Sequence, residues 1–157
     1  MIDVIDGGKH PDWVRDMLED CSRANTLLDM DYNGSRSESV IALEYGIPVG
    51  IVSFDREPSF RINLVHAYPG HDDSIEPMVK SIMAMAAFQG KDSVTVHSID
   101  KDGKLNGIFY SIGFRNTANN PCNLRESTIH MRYRFRGSDK RGLSSLAISD
   151  IQGCWLD

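Results

Sequence analysis

The sequence predicts an α+β (α/β) protein, a mixed and mostly antiparallel central sheet flanked by helices. Three observations carry this. Residues 60–114 read as strand, glycine-containing turn, helix, strand, helix. Two strands, at 39–45 and 49–54, the second rich in Val and Ile, precede that unit and are joined by a connection of hairpin length. A strand of period two follows it at 127–135.

Taken in order, residues 1–5 are short and apolar and form an opening strand. Pro11 suits the first turn of a helix, where its missing N–H costs nothing. Trp13, Val14, Met17, Leu18 and Cys21 fall on one face of that helix. Residues 24–28 extend it or form a second short helix, and 31–39 are polar and glycine-containing, hence a loop. The two strands that follow are connected through Gly46, Ile47 and Pro48. Residues 55–59 turn the chain into the strand 60–67, and the turn 68–74 leads into a helix over 75–89 that stops at Gly90. A short strand at 93–98 and a helix over 106–114 complete the central unit.

Residues 115–125 read as loop. In the last strand Ile129, Met131, Tyr133 and Phe135 alternate with His130, Arg132 and Arg134, which gives one apolar and one wet face. The fold is complete near Phe135, so the chain divides into a domain over 1–136 and a tail over 137–157. Residues 137–142 read as a linker. Beyond it Leu143, Leu146, Ala147, Ile148, Ile151 and Trp155 form a short apolar-faced segment. Such a segment is marginal as an isolated helix, so residues 143–156 are expected to dock on the domain, on a second copy or on a protein partner.

The chain has 157 residues, with 41% hydrophobic and 25% charged residues and a net charge of −5, as expected of one globular domain. The acidic balance argues against general nucleic-acid or membrane-surface binding. No apolar run approaches bilayer length, and residues 1–6 lack a basic-then-apolar leader. Cys21, Cys122 and Cys154 are odd in number and form no C-x-x-C pair. No zinc site is expected, and a reduced, cytoplasmic compartment is.

The chemistry-bearing stretch is 64–114. A strand that feeds a glycine turn into a helix N-terminus offers bare N–H groups and a helix dipole to an anion. With Val65-His66-Ala67 on the strand, Pro69-Gly70-His71-Asp72-Asp73-Ser74 in the turn and Phe109-Tyr110-Ser111-Ile112-Gly113-Phe114 closing the next helix, this order resembles the GCN5-related N-acetyltransferases, the GNAT family. The resemblance in element order covers residues 1–135. It implies acetyl-CoA as cofactor and transfer of an acetyl group to an amine, on a small molecule or a protein. In the family the strand matched by 60–67 bulges and parts from the next strand, and the pantetheine arm lies in the gap. That implies Leu64, Val65 and Ala67 as cofactor contacts, with a main-chain N–H polarising the thioester carbonyl. Gly70 and Ser74 are implied at the diphosphate.

The sequence departs from the family there, as a divergent member with a degenerate pyrophosphate loop. One glycine remains, Pro69 stands in place of Arg or Gln, and Asp72 and Asp73 occupy the cradle. Ser74 or Asp73 is expected to cap the helix, with Glu76 in its first turn. Each acid–phosphate pair at ~5 Å costs roughly 3 kcal/mol at an effective dielectric of ~20, before screening. Lys101, Lys104 or Arg115 are candidates to compensate.

The family's second signature carries a Tyr that protonates the departing thiolate, which implies Tyr110 as catalytic. A gapless match puts Phe109 at that place, and Gly103 where the family often has Asn. Glu44, Asp55, Glu57 and His66 are candidate bases. His66, His71, Asp72 and Asp73 have metal-ligand chemistry without metal-site spacing, so no metal is expected. Cys122 is a weak nucleophile candidate. Two functions follow: an acetyl-CoA-dependent N-acyltransferase, or a degenerate GNAT-fold binding or assembly protein, for example a structural component of a larger, even viral, particle.

Overall fold

The computed structural model describes residues 1–24, 37–100, 104–117 and 128–135. Seven strands form one sheet: β1 (Ile2–Asp6), β2 (Glu38–Glu44), β3 (Ile47–Asp55), β4 (Arg61–Ala67), β5 (Ser93–Asp100), β6 (Arg115–Asn116) and β7 (Thr128–Arg134). Three α-helices accompany them: α1 (Pro11–Ala24), α2 (Ile75–Phe88) and α3 (Lys104–Ile112). The strand order is β1-β2-β3-β4-β5-β7-β6, antiparallel throughout except for the β4–β5 pair. This is the mixed, mostly antiparallel sheet the sequence predicts.

Helices cover both faces. Under α2 and α3 lie Val40, Ala42, Val52, Phe54, Ile62 and Val65, with Met78, Ile82 and Phe109 among the helical partners. On the other face Met17 of α1 packs on Ile41, Ile51 and Leu64, flanked by Trp13, Val14 and Leu18. β2, β3 and β4 are thus buried on both sides, which is why they read as near-continuous apolar runs rather than as alternating strands. β7 has one wet face instead: Met131 and Phe135 are buried, Tyr133 is half-buried, and Arg132 and Arg134 are exposed.

Several boundaries differ from the sequence reading. The β2–β3 turn is only Tyr45 and Gly46, both at positive φ (53° and 77°), the geometry that matches strand twist in a two-residue hairpin. Ile47 and Pro48 are already in β3, paired with Glu44 and Leu43, and the register shifts there. β5 runs two residues further than expected, to Asp100. Arg115 and Asn116, expected in a loop, add an edge strand beside Arg132 and Met131. The expectations for residues 25–28, for Lys101, for Cys122 and for the tail at 137–157 fall outside the described residues.

α2 crosses the sheet over Gly50. A Cβ on Gly50 would lie 2.7 Å from Ser74 Oγ, 2.8 Å from Met78 Cε and 3.2 Å from the His66 carbonyl. Only hydrogen lets the N-terminal turn of α2 sit this close to β3 and β4. Gly50→Ala is therefore expected to destabilise the protein by about 1–3 kcal/mol, as overpacking does. Thermal denaturation checks this, and an unchanged melting temperature would contradict the close packing.

Candidate functional site

The site begins where β4 loses its neighbour. β4 and β5 are in register only at Arg61–Thr95 and Ile62–Val96. Both strands are irregular just beyond. Against β3, the β4 register shifts between Leu64 and Ile62, which makes Asn63 an extra, bulged residue. Against β7, the β5 register shifts between Val96 and Ile99. Residues 63–67 of β4 and 97–100 of β5 have no registered partner in each other, so the sheet opens between them.

The direction of the backbone in that opening follows from the ladder. Tyr68 N donates to Val49 O at 2.9 Å. Alternation along an antiparallel pair then turns the amides of His66 and Leu64 toward β3, and those of Val65 and Ala67 away from it, toward the opening. The side chains are spoken for: Val65 packs beneath α2 and Leu64 beneath α1. Asn63 is fully buried, and its Nδ2 donates to Ser37 Oγ at 3.2 Å. Its Oδ1 is buried with no partner among the described residues.

The turn after β4 delivers the N-terminus of α2 to the end of the opening. Gly70 takes φ +85°, and a 3-10 turn (Asp72–Ser74) precedes Ile75. The expected side-chain cap is not made. Ser74 is itself helical, is buried, and donates its Oγ to His71 O at 2.7 Å. No side chain bonds the first amides of α2 at the cap position. The charges are arranged around this end. Asp72 pairs with Lys104 at 3.5 Å, as the sequence suggested for that lysine, and Glu76 with Lys80 at 3.2 Å. His71 Nδ1 lies 3.1 Å from Glu44 Oε2.

His66 stands between Val65 and Ala67. It is 8% exposed, and its ring meets that of Tyr68 edge-on at 5.3 Å. Tyr68 donates to Asp20 Oδ2 at 2.7 Å. Burial pushes the His66 imidazole below its ordinary value, and the Asp20 carboxylate pulls weakly the other way. Among the other candidate bases, Asp55 accepts from Ser37 and Arg61, and Glu57 pairs with Lys91 at 3.6 Å.

This architecture has counterparts among solved structures. An acetyltransferase of the GNAT family from Staphylococcus aureus Mu50 matches with a TM-score of 0.63 at 10% identity, over 87% of this chain and 100% of that one. A Bacillus subtilis acetyltransferase in complex with CoA matches with 0.59 at 11% identity, over 87% and 100%. An N-acetyltransferase from Thermoplasma acidophilum in complex with coenzyme A matches with 0.53 at 10% identity, over 64% of this chain and 62% of that chain's length. The chain has the GNAT fold. No family model and no curated protein matches the sequence.

In the GNAT fold of this chain, α3 presents its two aromatic residues differently. Phe109 is fully buried and stacks edge-on against Phe114, with centroids 4.9 Å apart. Tyr110 is 38% exposed, and its hydroxyl donates to Asn116 Oδ1 at 2.7 Å. Arg115 lies over the Tyr110 ring and donates to the carbonyls of Tyr110 and Phe114. Asn106, one turn before Phe109, is buried and was not singled out in the sequence. A polar residue at i−3 of a buried aromatic is the signal that would have found it.

A cavity of about 710 Å³ lies elsewhere, between the start of α1 and the start of β2, lined by Gly7, Val14, Leu18, Ser37 and Ser39 among others. It shares no residue with the turn after β4. No helix of the described residues is long and apolar enough to cross a membrane.

A buried histidine whose charged form is disfavoured in the fold binds protons more readily when unfolded. Its stabilising contribution is present above the ordinary imidazole value of 6.5 and is lost as pH falls through the lowered native value. Stability is expected to fall with acidification over that window. His66→Gln, which cannot titrate there, is expected to flatten the dependence. Denaturant titrations at several pH values check both, and an unchanged slope in the variant would assign the effect to another group.

Proposed function

We propose that this protein is an N-acyltransferase that takes an acetyl group from acetyl-CoA and passes it to an amine. The observation that carries the reading is the opening between β4 and β5, with the Val65 and Ala67 amides directed into it and a helix N-terminus bare of side-chain caps at its end. Similar folds hold CoA in the Bacillus subtilis and Thermoplasma acidophilum structures. The residues present fit the group in part. Free strand amides suit the pantetheine arm, and the orphaned Asn63 Oδ1 suits a bound N–H. Asp73 and Asp72 oppose a diphosphate, although Lys104 offsets the second of these.

When bound, acetyl-CoA supplies an acyl group activated as a thioester. Leu64 and Val65 shape the wall of the opening. The amides of Val65 and Ala67 would hold the pantetheine arm, and one of them would donate to the thioester carbonyl oxygen as it gains charge. Gly70 and Ser74 would place the first amides of α2 at the diphosphate. His66, kept neutral by burial, takes the proton of the incoming amine, directly or through water. Tyr110 is the residue that would supply a proton to the CoA thiolate, and it would have to exchange its bond to Asn116 to do so.

The second reading is a GNAT-fold protein that binds or assembles without transfer. The full burial of Phe109 at the family's tyrosine position favours it. So does the acidic turn. The tail over 143–156 is the segment proposed to dock in that case.

Acetyl-CoA binding separates the two readings. At one hundred times its dissociation constant the ligand is expected to stabilise the protein by about 2.7 kcal/mol. No thermal shift at millimolar acetyl-CoA would end the enzyme reading and leave the fold untouched. Replacing both acids, Asp72→Gly with Asp73→Gly, is expected to tighten CoA binding about tenfold or more in low-salt calorimetry, since each removes a like charge from the cradle. Looser binding would show that the acids serve the ligand. If turnover is found, Tyr110→Phe is expected to lower it with little change in acetyl-CoA affinity, the pattern of a group that acts only in the transition state. Equal turnover would return Tyr110 to a structural role at the α3–β6 edge.

A further inference from the structure

We propose that Glu44, His71 and Asp73 form a binding site for one divalent transition-metal ion of the zinc or manganese type. The three residues come from separate places: the end of β2, the turn after β4 and the 3-10 turn before α2. Their ligand atoms nevertheless lie within 4.8 Å of one another. Ligand atoms bonded to one ion at about 2.0–2.2 Å lie about 3.4 Å apart in tetrahedral geometry and at most about 4.4 Å apart across the ion, so side-chain rotation of about an ångström closes the set. One imidazole and two carboxylates are the N/O donors such ions take, and the remaining positions stay open to water or a phosphate. Glu44 and His71 are half-buried and Asp73 is exposed, which leaves an entry path.

Independent support comes from the charges around this corner. Lys104 answers Asp72 and Lys80 answers Glu76. Among the described residues no lysine or arginine answers Glu44 or Asp73; Glu44 has only His71. Among the described residues these two carboxylates therefore lie close together with no lysine or arginine paired to either. The scaffold under them is fixed. His71 N donates to Tyr68 O at 2.9 Å, and His71 O accepts from Ser74 N at 3.0 Å and from Ser74 Oγ. Glu44 is pinned by its pairing with Ile2 and Ile47. An ion here binds the neutral ring through Nδ1 and replaces the proton that would otherwise bridge His71 to Glu44.

The test titrates Mn²⁺ and Zn²⁺ into the full chain, followed by calorimetry and by the His71 ring signals in NMR. Mn²⁺ is the deciding probe because the three cysteines compete for Zn²⁺. Support is one Mn²⁺ per chain, selective broadening of His71, and at least tenfold weaker binding in both Glu44→Gln and His71→Ala at unchanged circular dichroism. No stoichiometric Mn²⁺ binding, or binding undiminished in those variants, overturns the site. The three side chains are then a hydrogen-bonded surface cluster without an ion. A separate arm measures CoA affinity with and without Mn²⁺. Metal binding without CoA binding keeps this site and removes the acyl-transfer reading. CoA binding without metal binding does the reverse.

Discussion

The brevity of the β4–β5 pairing governs everything else in this molecule. Two parallel strands that paired along their whole length would seal the middle of the sheet and leave no backbone group free. Here the partnership stops after Arg61–Thr95 and Ile62–Val96. The bulged Asn63 on one strand and the irregularity after Val96 on the other turn them apart. Backbone amides that a sheet would normally consume are left directed into a gap. Both strands remain anchored on their outer sides, β4 by β3 and β5 by β7, so the gap persists as part of the folded state.

The two helical layers hold that gap open from above and below. α2 is pressed against the sheet at Gly50 and continues the apolar layer through Met78, Ile82 and Met83. Its position fixes the turn at residues 68–74. Met17 of α1 reaches Leu64 from the other face, and Asp20 reaches Tyr68 beside His66. The polar groups of the site therefore rest on well-packed elements. Of the acids at the start of α2, Asp72 meets Lys104 and Glu76 meets Lys80, while the ligand atoms of Asp73, His71 and Glu44 lie within 4.8 Å of one another.

Much of the fold was legible because its signals are local. Pro11 and the Trp13–Met17 spacing mark α1. Gly90, at φ 77°, marks the stop of α2. The alternation around Met131 marks β7. The misses came where a partner decides the conformation. Arg115 and Asn116 carry no strand signal of their own and are extended because β7 offers an open edge. Ile47 and Pro48 look like a turn but belong to β3, because Tyr45 and Gly46 alone reverse the chain. Ser74 has the composition of a cap, yet burial against Gly50 directs its hydroxyl to His71 O instead.

The sequence by itself determined the class of sheet and the order and type of the described strands and α-helices, with the edge strand β6 as the exception. Period, glycine placement and apolar runs act over a few residues, so they are written in the chain. Only the tertiary structure decided which groups meet. Phe109 and Tyr110 are neighbours in sequence, but one enters the core and the other bonds an edge strand, because a helix turns each residue about 100° from the last. Glu44 lies 27 residues from His71 and touches it only because the β2–β3 hairpin and the turn after β4 end at the same corner of the sheet. Contacts of that kind depend on packing between distant segments, and no local pattern records them.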